Sequence, residues 1–343
     1  MSDTAPQTVL VTGGSGYIAG YVIAALIARG FSVRTTVRSL SREAEVRATL
    51  KKITDPSGLQ FFATDLNADA GWAEAVAGCT YVQHVASPLP VADPKHDDEL
   101  VRPARDGALR VMRAARDAGV QRVVMTASGA SIAYTHGDRA TPYTEEDWTD
   151  ETNLTATSPY VRSKTIAERA VRDWFKREGG ALELVTIHPG LVLGPVLGSD
   201  FSPSVEAIKK LMEGSIPGLP KFGWPIVDVR DVADMHIAAM LTPGVAGERF
   251  IAAADFWWMK DMAAALRRRL GNRARKVPTM QLPNFAVRLA ALFDPLIKSQ
   301  VFELGHARNM THEKATRLLG WHPRSAEDSV VETAESLIAE GLV

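Results

Sequence analysis

Short runs of β-branched and apolar residues alternate with longer stretches of helical periodicity along the first half of the chain. Val9–Thr12 reads as a strand, followed by a helix from Gly16 to about Arg29. A second strand over Phe31–Val37 leads into a polar helix from about Ser41 to Ile53. Leu59–Thr64 and Thr80–Ala86 read as further strands, parted by a short helix around Trp72–Ala77. A long helix from about Asp97 to Ala118 precedes a strand over Arg122–Ala127. After an irregular stretch come a helix over Pro159–Glu178 and a strand over Leu182–His188. Strands alternating with helices predict βαβ units, hence a doubly wound α/β fold with a parallel sheet and helices on both faces.

The pattern breaks after Pro189. Residues 190–226 are rich in Gly and Pro and read as loops. From Ala252 onward the pattern is mostly helical, with Phe256–Trp258 opening a helix and the amphipathic Ala326–Ala339 closing the chain. Residues 1–189 with about 226–254 are expected to form one domain. Residues 190–225 with 255–343 are expected to form a smaller, mostly helical lobe over the crevice of the sheet, where a substrate binds.

Composition narrows the choices. Of 343 residues, 46% are hydrophobic and 23% charged, which excludes a disordered chain. Thirty-nine basic against 40 acidic residues give a net charge of −1, so no nucleic acid or membrane partner held by bulk charge is expected. The basic cluster Arg267, Arg268, Arg269, Arg273, Arg275 and Lys276 reads as a solvated helix face. Cys79 is the only cysteine, so no intramolecular disulfide forms, and it reads as a small core residue. The longest apolar run, Tyr17–Ala28, is too short for the roughly 20 residues that span a bilayer. No leader pattern precedes the first strand, and a soluble cytoplasmic protein, monomeric or homodimeric, is the expectation. The eight histidines (84, 96, 136, 188, 236, 306, 312 and 322) show no metal-binding spacing, and no metal is expected. His188 is read as part of the sixth strand's end. There is no G-x-S-x-G nucleophile elbow.

Candidate chemistry begins at Val9-Leu-Val-Thr-Gly-Gly-Ser-Gly-Tyr-Ile-Ala-Gly20, a strand, a glycine-rich turn and a helix start. Such a turn lets backbone approach a pyrophosphate, while the helix start offers N–H donors and a positive dipole end. Two registers fit the dinucleotide-binding pattern, one through Gly14, Gly16 and Ala19 and one through Gly13, Gly16 and Ala19. An acid at the end of the second strand would hold the ribose of NAD. Here Arg38 stands there and no acid occurs before Glu43, which favours NADP(H), its 2′-phosphate gripped by the guanidinium.

Tyr160-Val-Arg-Ser-Lys164 places a phenol and an ammonium on one helical face. A free tyrosine, with pKa near 10, is a poor acid–base catalyst at neutral pH, and a nearby cation stabilises the phenolate. Ser128, at the end of a strand, supplies a second hydroxyl for the same carbonyl oxygen.

These segments, with Asp65-Leu66, Val85-Ala-Ser-Pro88, Thr126–Ser128, His188-Pro-Gly-Leu-Val-Leu-Gly-Pro195, Val227–Ala233 and Lys314–Pro323, occur in the order found in extended short-chain dehydrogenase/reductases. The chain resembles their dihydroflavonol-reductase-like branch, which includes microbial NADPH-dependent aldehyde and ketone reductases. The resemblance implies a Rossmann-type fold and a catalytic triad of Ser128, Tyr160 and Lys164. In it Tyr160 donates the proton, Ser128 holds the substrate oxygen, and Lys164 supports the tyrosine and binds the nicotinamide ribose. Against the cofactor it implies Gly13, Ser15, Gly16, Tyr17 and Ile18 of the loop, Arg38, Asp65 and Leu66 at the adenine, Val85, Ala86, Ser87 and Thr126, and Pro189, Gly190, Leu191 and Val192 at the nicotinamide end. Pro88, Ala133, Tyr134, Phe201 and Trp224 are candidates to touch a small carbonyl or alcohol substrate.

Three departures stand out. The third loop glycine is Ala19. The helix that carries a relay Asn in single-domain members has Gly107-Ala-Leu-Arg110. Ala133 stands where plant flavonoid reductases carry a polar Asn, which favours a more apolar carbonyl. The expected activity is hydride transfer between NADPH and an aldehyde or ketone. The rivals are an NAD-dependent sugar-nucleotide epimerase, a hydroxysteroid dehydrogenase, and a catalytically silent NADP-sensing protein.

Overall fold

The structure is a computed structural model, and it describes residues 6–88, 97–134 and 139–343. The first half runs β1 (Thr8–Val11), α1 (Tyr17–Ala28), β2 (Ser32–Val37), α2 (Glu43–Leu50), β3 (Gln60–Ala63), α3 (Trp72–Val76), β4 (Tyr81–His84), α4 (Asp98–Asp117), β5 (Arg122–Thr126), α5 (Pro159–Glu178) and β6 (Glu183–Pro189). It continues with β7 (Leu191–Leu193), α6 (Pro203–Glu213), β8 (Gly223–Asp228), α7 (Val229–Leu241), β9 (Arg249–Ala252), β10 (Phe256–Trp258), α8 (Met259–Leu270), α9 (Asn284–Ala290), α10 (Pro295–Gln300), α11 (Glu313–Leu319) and α12 (Ala326–Ala339).

Seven strands form one parallel sheet in the order β3-β2-β1-β4-β5-β6-β9. Val9, Leu10 and Val11 of β1 are wholly buried, as a central strand covered by helices on both faces requires. Strand order reverses between β1 and β4, which opens a crevice at their carboxyl ends. The loops after β1 and β4 both emerge there.

Two sequence expectations change. Residues 190–226 are more than loops, for they contain β7, α6 and the start of β8. Pro203 sits in the first turn of α6, where a missing N–H costs nothing, and Gly214 ends the helix at φ 69°. The glycines and prolines therefore punctuate an amphipathic helix that buries Val205, Ile208, Leu211 and Met212. Phe256–Trp258 does not open a helix. It is strand β10, antiparallel to β8, in a second sheet of order β10-β8-β7. The helix starts after it, where the Asp261 carboxylate accepts the Trp258 N–H at 3.1 Å. β8 thus belongs to this second sheet, and β9 to the seven-stranded one.

The basic cluster at the end of α8 meets an acidic face of α12. Arg268 pairs with Glu327 at 2.6 Å, Arg269 with Asp328 at 3.3 Å, and Arg273 with Glu335 at 3.0 Å. Cys79 is free and buried. No helix among the described residues is long and apolar enough to cross a membrane.

Candidate active site

The glycine turn is held from two sides. Thr12 is buried, and its Oγ1 lies 3.0 Å from His84 Nδ1 and accepts the Ala86 N–H at 2.9 Å, which locks the end of β1 to the end of β4. Burial, aided by the Lys164 charge, pushes the His84 imidazole down to about 4, so it is neutral. Gly13 has φ +73°, and a methyl there would stand 3.0 Å from Ala86. A methyl on Gly14 would fall 2.1 Å from Thr35 Oγ1. Both sequence registers therefore carry a glycine that the packing demands.

Gly16 opens α1 without a side-chain cap, so the first-turn N–H groups point out of the helix unpaired by it. A cradle that Cβ atoms would fill, facing an uncapped helix start, fits a dinucleotide pyrophosphate. Ser15 and Ile18 are half-buried on this turn, and the Tyr17 side chain turns inward, its hydroxyl donating to the Gly194 carbonyl at 2.8 Å. Any contact from Tyr17 to a cofactor is left to its backbone.

Arg38 directly follows β2, is exposed, and has no hydrogen bond or ion pair among the described residues. Arg42, which the sequence reading missed, donates to Ser15 Oγ at 3.1 Å, Glu45 at 2.8 Å and Asp200 at 2.9 Å. Its spacing of four from Arg38 was the available signal. The Ser202 hydroxyl, two residues beyond Asp200, is buried without a partner, a polar atom left for a ligand. Asp65 forms a turn with Asn67, accepting its backbone N–H at 2.7 Å. Leu66 packs against Gly107 of α4, where an added Cβ would come within 2.8 Å of the Leu66 Cβ. A side chain on Gly107 would force Leu66 to move.

At the other end of the crevice, Ser128 opens a short turn over Gly129–Ser131, and its Oγ accepts the Ala130 N–H at 3.1 Å. α5 starts beside it, capped by Ser158, which accepts the Val161 N–H at 3.3 Å, with Pro159 in the first turn. Tyr160 is 37% exposed. Lys164 Nζ lies 5.5 Å from the Tyr160 ring centroid and donates to Ser87 Oγ at 2.7 Å. That bond joins the helix of the Tyr–Lys pair to the loop after β4. A cavity of about 30 Å³, roomy enough for one water, lies at this junction, lined in part by Leu66, His84, Ser87, Thr126, Lys164 and Glu168. Val85 and Ala86 lead into it half-buried, and Pro88 also lines it.

Thr126 spends its hydroxyl inward, 2.9 Å from His236 Nε2, while His236 Nδ1 meets Gln83 Oε1 at 2.7 Å. Burial pushes His236 down to about 3. Pro189 ends β6. Gly190 leaves no room for a side chain, since a Cβ would meet the Pro225 carbonyl at 2.2 Å. Leu191 and Val192 pair with β8.

Among the substrate candidates, Tyr134 and Ala133 lie just beyond the Ser128 turn. Arg308 covers the Tyr134 ring at 4.2 Å, and Ala133 is wholly buried with Ile132, Tyr143, Ile251, Ala253 and Met310. Phe201 is half-buried against the main core, and Trp224 sits in β8 opposite Trp257 of β10. His188 lies in β6 and is fully buried, while His96 and His136 lie outside the described residues. No group of three or more His, Cys, Asp or Glu that could hold a metal occurs among the described residues.

Glu168, also missed, lies on the face of α5 that carries Tyr160 and Lys164, and the recurrence every four residues was its signal. Burial would raise its carboxyl, but His188, Arg249 and Arg172 together hold it well below the usual range.

A seven-stranded parallel sheet, a glycine cradle at its switch point and a Tyr–Lys pair beside a strand-end serine define a class. The chain belongs to the NAD dependent epimerase/dehydratase family, whose profile matches residues 9–253. It is an oxidoreductase of the extended short-chain dehydrogenase/reductase type. It is 31% identical to dihydroflavonol 4-reductase of Zea mays over 269 residues, covering 76% of this chain and 74% of that protein. It is 36% identical to cinnamoyl-CoA reductase CAD2 of Medicago truncatula over 255 residues, covering 72% and 76%. In fold it is similar to yeast methylglyoxal/isovaleraldehyde reductase Gre2 complexed with NADPH, with a TM-score of 0.82, 21% identity and coverage of 98% and 100%. Gre2 of Candida albicans in complex with NADPH superposes with a TM-score of 0.80 at 25% identity, covering 98% and 99%.

Proposed function

We propose that the protein is an NADPH-dependent carbonyl reductase that converts an aldehyde or ketone to an alcohol, the reverse oxidation being the same chemistry. The observation that carries this reading is the Lys164–Ser87 hydrogen bond, which sets the Tyr160–Lys164 pair against the loop at the cofactor crevice. NADPH supplies the hydride when bound. Tyr160 donates the proton to the oxygen on which negative charge develops. Ser128 holds the same oxygen: its Oγ accepts from Ala130, which leaves the hydroxyl hydrogen free to donate. Lys164 stabilises the phenolate left behind.

Arg38 at the end of β2, with no acid beside it, favours NADPH over the NAD that the epimerase reading needs. The relatives named for dihydroflavonol and cinnamoyl-CoA reduction support a carbonyl substrate. Residues 1–189 with about 226–254 hold the dinucleotide, and 190–225 with 255–343 hold the substrate. We place the enzyme in the cytoplasm as a monomer or homodimer.

Tyr160→Phe tests the mechanism. NADPH affinity stays within about twofold while turnover falls on the order of a hundredfold or more, because only the proton donor is lost. Turnover surviving within a few fold would assign the proton to another group.

A further inference from the structure

A buried polar cluster lies behind the Ser128 turn, built on the same face of α5 as the Tyr–Lys pair. Tyr160, Lys164, Glu168 and Arg172 recur every four residues and form one stripe. The fully buried Glu168 carboxylate accepts from Ser131 Oγ at 2.6 Å, Arg249 Nε at 2.9 Å and Arg172 Nε at 3.0 Å. Ser131 is the last residue of the turn that Ser128 opens.

His188, fully buried on β6, stands with Nδ1 3.2 Å from the Ser128 carbonyl. In this contact the carbonyl accepts and Nδ1–H donates, with Ser131 Oγ equally near Nδ1 at 3.2 Å. Burial holds the ring neutral although Glu168 pulls the other way. Nε2 lies 3.0 Å from Thr186 Oγ1 and 3.3 Å from the Glu168 carboxylate. Thr186 in turn accepts from Arg172. A run of polar contacts thus links Arg172, Thr186 and His188 to the backbone of Ser128.

We propose that His188, braced by Thr186 and by the Glu168–Ser131 contact, is a positioning residue that fixes the Ser128 peptide and so aims the Ser128 hydroxyl at the substrate oxygen. The inference rests on the reading of Ser128 given above. Misplacement of a catalytic group by about 1 Å can cost on the order of a hundredfold in rate, so a fixed peptide matters.

The test is a cycle of Ser128→Ala, His188→Leu and the double variant in the full chain, with kcat, KM and NADPH affinity measured for each. Ser128→Ala should lower kcat on the order of a hundredfold. His188→Leu should lower kcat about tenfold or more with NADPH affinity within about twofold, and the double variant should be no slower than Ser128→Ala alone. His188→Asn, whose amide nitrogen can take the place of Nδ1, should recover most of the rate. If the two losses multiply, if Asn is no better than Leu, or if NADPH affinity falls in step with kcat, His188 is merely structural and the inference fails. If Ser128→Ala leaves kcat unchanged, the reading of Ser128 fails and takes this inference with it. Should His188→Leu not fold, Ser131→Ala enters the same cycle with the same expectation and the same overturning result.

Discussion

Arg38 and Arg42 stand one helical turn apart after β2, and only Arg42 is engaged. It is spread over Ser15, Glu45 and Asp200, whereas Arg38 is exposed. In the proposed reading Arg38 faces the ribose, where a free guanidinium distinguishes a phosphate from a hydroxyl. A hydrogen bond to a charged group contributes about 1.5–3 kcal/mol, so Arg38→Asp should lower the ratio of kcat/KM for NADPH over NADH by roughly tenfold to a hundredfold. An unchanged ratio would mean that Arg42 or another residue reads the phosphate. The placement of Arg38 after β2 and of Tyr160 and Lys164 on one helix was legible in the sequence, because each lies at a set distance from a strand end or a helical neighbour. The Arg42–Asp200 pair was not, since it joins residues 158 positions apart.

Among elements, the helices and strands of the first half were legible to within a few residues because each carries its own stop signals. α5 is the clearest case: Ser158 caps it, Pro159 occupies the first turn and Gly179 follows its end. α6 was hidden by the same residue types that bound it, because Pro203 and Gly214 look like loop when read by composition. β10 was hidden because Phe256–Trp258 has three aromatics and no alternation, and its partner strand lies some 30 residues upstream. α4 supplies a test of packing between elements. Gly107 touches Leu66 so closely that Gly107→Asn should destabilise the fold by about 1–3 kcal/mol, read as a lower midpoint in urea. An Asn variant of undiminished stability would show that α4 has room for a side chain there.

At the scale of the whole molecule, sheet order does most of the work. The sequence showed the first six strands, but pairing β1 between β2 and β4 brings the glycine turn beside Val85–Ser87. Placing β5 next to β4 then sets Ser128 and α5 at the same edge. Long-range polar contacts complete the arrangement: Lys164 to Ser87, 77 residues apart, and His188 to Ser128, 60 apart. Such pairs leave no local trace in a sequence, because only the tertiary fold makes them neighbours.

The central claim is that this crevice transfers hydride from NADPH to a carbonyl carbon. Its most direct test is the initial rate of NADPH consumption by the purified protein against a panel of aldehydes, aryl ketones, ketoesters and steroid ketones, with NADH in parallel. The account predicts turnover on simple carbonyl compounds with a clear preference for NADPH. No turnover on any member of the panel, from protein that carries tightly bound NAD as purified, would contradict it.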